Sequence, residues 1–210
     1  METVYDEKVL EFVAVANDYT QFIEQVGFEG RKTCIEKAGK LLSELYFRAI
    51  MLPELKPDFE DLNQRFVTEA DYDQVRATLL RKFGEYDSFE EVFVRDRAEA
   101  QEYVSASISE LMSDIWQDIK DFILLYEIGT NEVMYAALWE LKQTFEQYWG
   151  QKLVNVLRAI HFLRYSAEDI NEVENETNQD ENSIFRTTDT KNWIISKRQE
   201  DLRDEEESQI

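Results

Sequence analysis

Apolar residues recur at helical spacing along nearly all of the first 165 positions, and few folds are compatible with that. Val9, Phe12, Ala16, Tyr19, Ile23 and Val26 step by 3, 4, 3, 4 and 3, which places them on one stripe of a helix that Gly27 and Gly30 end. Ile35, Ala38, Leu42, Leu45, Ala49 and Leu52 repeat the pattern; Pro53 then disfavours helical geometry at Leu52, and Pro57 follows. Thr68 is placed to cap a third helix, with Tyr72, Val75, Leu79 and Phe83 as its apolar face and Gly84 as its end. Ser107 and Glu110 have capping-box spacing before Ile108, Met112, Ile115, Ile119, Phe122 and Tyr126, and Gly129 closes that segment. Thr130 or Asn131 can cap the last segment, which runs to Tyr165. Its stripe is Met134, Leu138, Leu141, Phe145, Trp149, Leu153, Val156, Ile160 and Leu163. An extra step of four falls at Trp149-Gly150, the signature of a stutter in one helix or a break between two, and the glycine favours a kink or break. The stretch from Tyr86 to Phe93 reads equally as a helical turn or an extended segment.

With 6 Gly and 2 Pro in 210 residues, the chain has too few turn formers for a β-sandwich or barrel. The expected fold is all-α: a mainly antiparallel bundle of five or six amphipathic helices over residues 1–165, joined by short loops. Beyond Tyr165 the composition changes. Residues 166–210 carry 14 acidic and 5 basic side chains, and runs such as Asn171 to Asn178 lack apolar surface to offset chain entropy. An acidic, poorly packed tail is expected there, with a possible short helix around 190–203. Trp193-Ile194-Ile195 is its one apolar patch, and Trp193 the anchor if the patch docks. Proteolysis is expected to begin between Glu172 and Thr188.

The formal charge of −22 argues against binding nucleic-acid phosphates or anionic lipid directly. The longest purely apolar runs, such as Phe122 to Leu125, are far short of a membrane span of about 20 residues. The acidic N-terminus lacks the basic flank and apolar stretch of a signal peptide. Cys34 is the only cysteine and has no disulfide partner within the chain. A cytoplasmic location is the expectation.

Asp114, Asp118 and Asp121 lie in a row beside the core stripe of their helix. Three carboxylates can hold a divalent cation, but the Glu-x-x-His pairs of di-metal bundles are missing: the single His, His161, has Arg158 three residues before it. Val154, Arg158, His161 and Tyr165 form a second row on the last helix. If the two helices are neighbours, Asp114 or Asp118 is expected within about 4 Å of Arg158 or His161, in a partly buried ionic network that fixes which helices pair. His161 is also a possible general base, but no nucleophile elbow, phosphate loop or metal signature accompanies it. Tyr135, Trp139 and Trp149 give the fifth helix an aromatic character, read either as core packing or as a surface for a peptide or flat ligand.

The segments resemble a bacterial family known as domain of unknown function 5063. The similarity is most specific from Ser107 to His161, through Leu111, Asp114-Ile115, Asp118-Ile119, Tyr126, Ala137-Leu138-Trp139-Glu140, Phe145, Trp149-Gly150 and Leu157-Arg158-Ala159-Ile160-His161. Leu45-Tyr46, Ala49, Leu52-Pro53 and the Tyr86 to Phe93 stretch fit more loosely, for coverage of about residues 5–165. The resemblance implies a small helical fold and no activity.

The leading functional expectation is a non-enzymatic module that binds a protein partner, without cofactor, metal or catalytic residues. The alternatives are a metal-binding or enzymatic bundle using Asp114, Asp118 and His161, and an acidic nucleic-acid mimic that occupies a basic partner.

Overall fold

The computed structural model describes residues 3–56, 65–91, 104–166 and 170. Six helices carry the fold: α1 (Glu7–Gln25), α2 (Arg31–Ile50), α3 (Glu69–Phe83), α4 (Ile108–Ile128), α5 (Asn131–Thr144) and α6 (Gly150–Tyr165). Two short antiparallel strands, β1 (Ser88–Glu91) and β2 (Val104–Ser107), pair between α3 and α4 with Ser88 opposite Ser107 and Glu91 opposite Val104. The all-α expectation holds, and the stretch that reads as either helix or strand is extended over Ser88–Glu91, its last two residues lying outside the described ones. The expected tail, with its Trp193 patch, lies outside the described residues apart from Ser166 and Ile170.

The central helix is α4, which packs against α1, α3, α5 and α6. Its composition explains the position. Met112, Ile115, Trp116, Ile119, Phe122, Ile123, Leu124 and Leu125 are buried around most of its circumference, so no single neighbour suffices to cover it. Contacts along the helices set antiparallel directions. Phe12 meets Phe122 and Tyr19 reaches Met112 between α1 and α4, whereas Gly39 approaches Ile160 and Tyr46 meets Phe145 between α2 and the α5–α6 run. The core includes fully buried Phe12, Tyr19, Trp116 and Trp149. Each large apolar side chain of this kind contributes about 1.5–3 kcal/mol by leaving water. The buried Tyr19 hydroxyl is satisfied by donating to the Met112 carbonyl at 2.9 Å.

The caps agree with the sequence in outline and differ in one partner. Thr68 and Asp71 form a reciprocal capping box at α3. Gly129, at φ 83°, ends α4 in the left-handed conformation that a side chain would resist, and Thr130 caps α5. At the start of α4, Ser107 accepts from the Glu110 amide at 3.3 Å, and the carboxylate that joins this cap is Asp87, from outside the helix. Asp87 accepts from the Ser109 amide at 2.7 Å and from the Ser107 hydroxyl at 2.6 Å. A buried carboxylate from outside the helix thus satisfies a different first-turn amide, that of Ser109, and fastens the base of the β-hairpin to α4.

Of the readings open at Trp149-Gly150, the structure takes the stutter in one continuous helix and not the break. Phe145–Trp149 forms one π-helical turn that joins α5 directly to α6. Leu141, Phe145, Trp149 and Leu153 are spaced by four three times running. Three such steps carry a stripe about 120° round a regular α-helix, and a wider turn takes up that excess. Gly150 permits it through space, not conformation. Its φ of −62° is ordinary, but its amide donates to the Phe145 carbonyl, and a Cβ there would stand 2.5 Å from that oxygen and 2.8 Å from the Phe145 ring.

Candidate functional site

Where α3, α4, α5 and α6 meet, polar side chains gather on α4. Asp114, Asp118 and Asp121 follow one another at spacings of four and three, so they share an edge of the helix. Asp114 accepts from the Tyr72 hydroxyl of α3 at 2.7 Å and from the Lys152 ammonium of α6 at 2.7 Å. One carboxylate therefore ties three helices together. Burial, then the Asp114 carboxylate, push the Tyr72 phenol well above its ordinary pKa, so it stays a donor.

Asp121, 1% exposed, performs a different task. One of its oxygens accepts from the backbone amides of Phe66 and Val67 at 2.7 and 2.9 Å. It thereby pins the segment entering α3, whose amides have no strand or helix to pair with. Arg65 lies over the row, 3.5 Å from Asp121, 3.8 Å from Asp118 and 2.7 Å from Glu140 on α5. Burial raises the pKa of Asp121, against the lowering by the two amides and Arg65. Asp118 is raised to about 6, first by burial and further by Asp121 and Asp114, although Arg65 and Lys152 pull it down.

The stretch before Arg65 is held on the same side of the bundle. Lys142 donates to the Pro53 carbonyl at 3.0 Å and to Glu54 at 2.8 Å. The Tyr135 hydroxyl lies 3.1 Å from the Lys56 amide, from which it accepts. Tyr135 is thus a tether for the α2–α3 connection. Trp149 belongs to the core at 0% exposure, with its indole N–H donating to the Leu141 carbonyl at 3.2 Å and its ring against Phe145 and Phe12. Trp139 is half-buried. The three aromatics do not share one surface role.

The expected network is not the one formed. Arg158 and His161 are both exposed. Arg158 donates to the Glu90 carbonyl of β1 at 2.5 Å, and the His161 ring packs against Tyr165. Neither makes an ion pair or hydrogen bond with Asp114 or Asp118. The helices are neighbours as anticipated, but Lys152 supplies the cation. The physical reason is angular: Lys152 borders the buried stripe of Leu153, Val156, Ile160 and Leu163 on the α4 side, whereas the Val154–Arg158–His161–Tyr165 row lies about 150° round the helix from that stripe and faces water. Among the described residues, no cluster of three or more His, Cys, Asp or Glu side chains is placed to hold a metal ion. Sequence reasoning missed Arg65, Tyr72 as a hydrogen-bond donor, Lys152 and Glu140. Arg65 had no signal, since it stands in an aperiodic stretch. Lys152 was accessible in principle from its angular position beside Leu153 and Val156.

The outer face of α6 contrasts with this seam. Val154, Phe162 and Tyr165 are 43, 69 and 66% exposed. Residues 147–167 contain no Asp or Glu, whereas Lys152, Arg158 and Arg164 give α6 three cations in a chain of net charge −22. Lys152 is neutralised by Asp114, but Arg158 and Arg164 have no carboxylate partner among the described residues. The Arg164 guanidinium lies 5.4 Å from the centre of the Tyr165 ring.

A family profile described as "Domain of unknown function (DUF5063)" matches residues 3–166. A crystal structure of a protein from Bacteroides fragilis, determined as a structural-genomics target, is 35% identical with a TM-score of 0.70, over 79% of this chain and 98% of that one. No curated protein matches the chain.

Proposed function

Because the chain belongs to that family of unknown function, we propose its role from geometry: a non-enzymatic helical module that binds a protein partner through the outer face of α6. The observation that carries this reading is the concentration of exposed Val154, Phe162 and Tyr165 on one helix face, beside Arg158 and Arg164, for which the described residues supply no carboxylate partner. Single exposed apolar residues are normal, but three on one helix face, bordered by Arg158 and His161, have the apolar centre and polar rim of a binding surface. The seam on α4 supports the same reading from the other side. Its carboxylates accept from Tyr72, Lys152 and two backbone amides and lie within ion-pair distance of Arg65, which commits them to holding helices and the Arg65–Val67 segment.

The test is affinity capture from an extract of the source cell with the full chain, compared with the chain carrying Phe162→Ser and Tyr165→Ser. Both side chains are exposed, so the variant should melt within about 0.5 kcal/mol of the original stability. The expected result is a partner recovered by the original chain and lost, at least tenfold, by the variant. Equal recovery of the same proteins by both would remove the proposal.

A further inference from the structure

Resting on the reading of α6 as a docking face, we infer that the partner presents an extended peptide bearing a carboxylate. It adds as a strand to the outer edge of β1 and takes Arg158 as its ion-pair partner. The register of the hairpin defines that edge. Ser88 stands opposite Ser107 and Glu90 opposite Ser105, and the Ile108 amide donates to the Asp87 carbonyl at 2.8 Å. Bonded and non-bonded pairs alternate along an antiparallel ladder, so Ser88 and Glu90 are the residues that turn amide and carbonyl away from β2. Arg158 agrees with this direction, since it reaches the Glu90 carbonyl from α6, outside the ladder. Neither the Glu90 amide nor the two Ser88 groups have a backbone partner among the described residues.

Strand edge and helix face thus meet at Arg158. Val154 and Phe162 lie four residues to either side of it, 43 and 69% exposed, each about 6 Å away along the helix axis. Alternate side chains of a strand stand about 6.7 Å apart. A peptide laid along α6 with an acidic residue at its centre, and an apolar residue two positions to either side, therefore meets all three. An extended segment is the occupant because the outward groups of β1 call for a row of backbone amides and carbonyls, which a helix does not offer.

Arg158 also sets the selectivity. In the free protein it occupies the Glu90 carbonyl, an acceptor that an added strand needs, and a cation so placed protects an exposed edge. A neutral strand must break that bond without giving the guanidinium another acceptor. A strand with a carboxylate replaces a neutral acceptor by a charged one, and such bonds are roughly twice as strong. The freed Glu90 carbonyl then accepts from a peptide amide. The surroundings suit an acidic ligand, since residues 147–167 contain no Asp or Glu. The exposed Glu90 side chain stands on the sheet face opposite partly buried Phe89 and makes no ion pair with Arg158 among the described residues.

The experiment titrates the full chain against fluorescein-labelled nonapeptides and follows their anisotropy. The parent peptide has glutamate at its centre, valine at the other odd positions and serine between; a second has glutamine at the centre. Two more are the parent N-methylated on its odd or on its even amides. The glutamate peptide should bind at least about tenfold more tightly than the glutamine peptide. Arg158→Ala should abolish that preference, and N-methylation of at least one of the two rows should cost about tenfold or more. Equal binding of glutamate and glutamine peptides, a preference that survives Arg158→Ala, indifference to both methylations, or no saturable binding would each overturn the strand. If partner capture still depended on Phe162 and Tyr165, α6 would remain a docking face for a different kind of surface. Loss of that dependence would remove the face itself, whatever the peptides do.

Discussion

Two edges of the α5–α6 neighbourhood treat the same kind of side chain in opposite ways. On the α4 edge, Lys152 meets Asp114 and Arg65 bridges Asp118, Asp121 and Glu140. On the solvent edge of α6, Arg164 lies over the exposed Tyr165 ring and Arg158 donates to a backbone carbonyl of β1, and neither makes an ion pair among the described residues. The difference shows where charge is structural here. A buried carboxylate must be matched or it strands its desolvation cost, so the inner edge is closed chemistry. An exposed cation carries no such requirement, because water solvates it without a carboxylate partner.

Removing a buried acceptor should have the largest effect. Asp121→Ala leaves the Phe66 and Val67 amides without their partner, and a cost of about 3 kcal/mol is expected, measured by urea unfolding. Asp121→Asn keeps one acceptor oxygen and should lose less than half of that. Equal losses would mean that the charge, not the acceptor, holds the segment.

A smaller effect is expected from pH. Burial raises Asp118 from 3.8 to about 6, so between those values the folded chain binds more protons than the unfolded one. The contribution of this group to stability is therefore fully present below about 3.8 and is lost as pH rises through about 6. Asp118→Asn mimics the protonated form. Compared with the original chain, it should gain on the order of 1 kcal/mol more at pH 7 than at pH 4.5. An identical difference at both values would show that Asp118 does not titrate in this range.

The smallest effect belongs to the outer edge. Arg158→Ala removes an exposed donor from the Glu90 carbonyl and strands no carboxylate, so its thermal unfolding should shift by no more than about 0.5 kcal/mol. A loss as large as that of Asp121→Ala would erase the contrast between the two edges.

Periodicity and caps are local, and they were legible without coordinates. The stripes from Val9 to Val26 and from Ile108 to Tyr126 became α1 and α4, and Thr68, Gly84, Gly129 and Thr130 stand at the ends they signalled. What failed in each case depended on a residue distant in sequence. Asp87, not Glu110, is the carboxylate that joins the cap of α4, accepting from the Ser109 amide and the Ser107 hydroxyl, because the chain fold brings it to the first turn of that helix. At Trp149-Gly150 the spacing signalled a stutter or a break, and the packing of Trp149 against Phe12 goes with the π-turn that keeps the helix continuous.

The candidate site divides in the same way. The row Asp114, Asp118 and Asp121 followed from helical geometry, as did the row Val154, Arg158, His161 and Tyr165. Tertiary packing alone decided that the aspartate row faces Lys152 and Arg65 while the row on α6 faces water. A helix specifies the angles between its own side chains, but not which neighbour fills which angle, and the free energy of a charge depends on that neighbour.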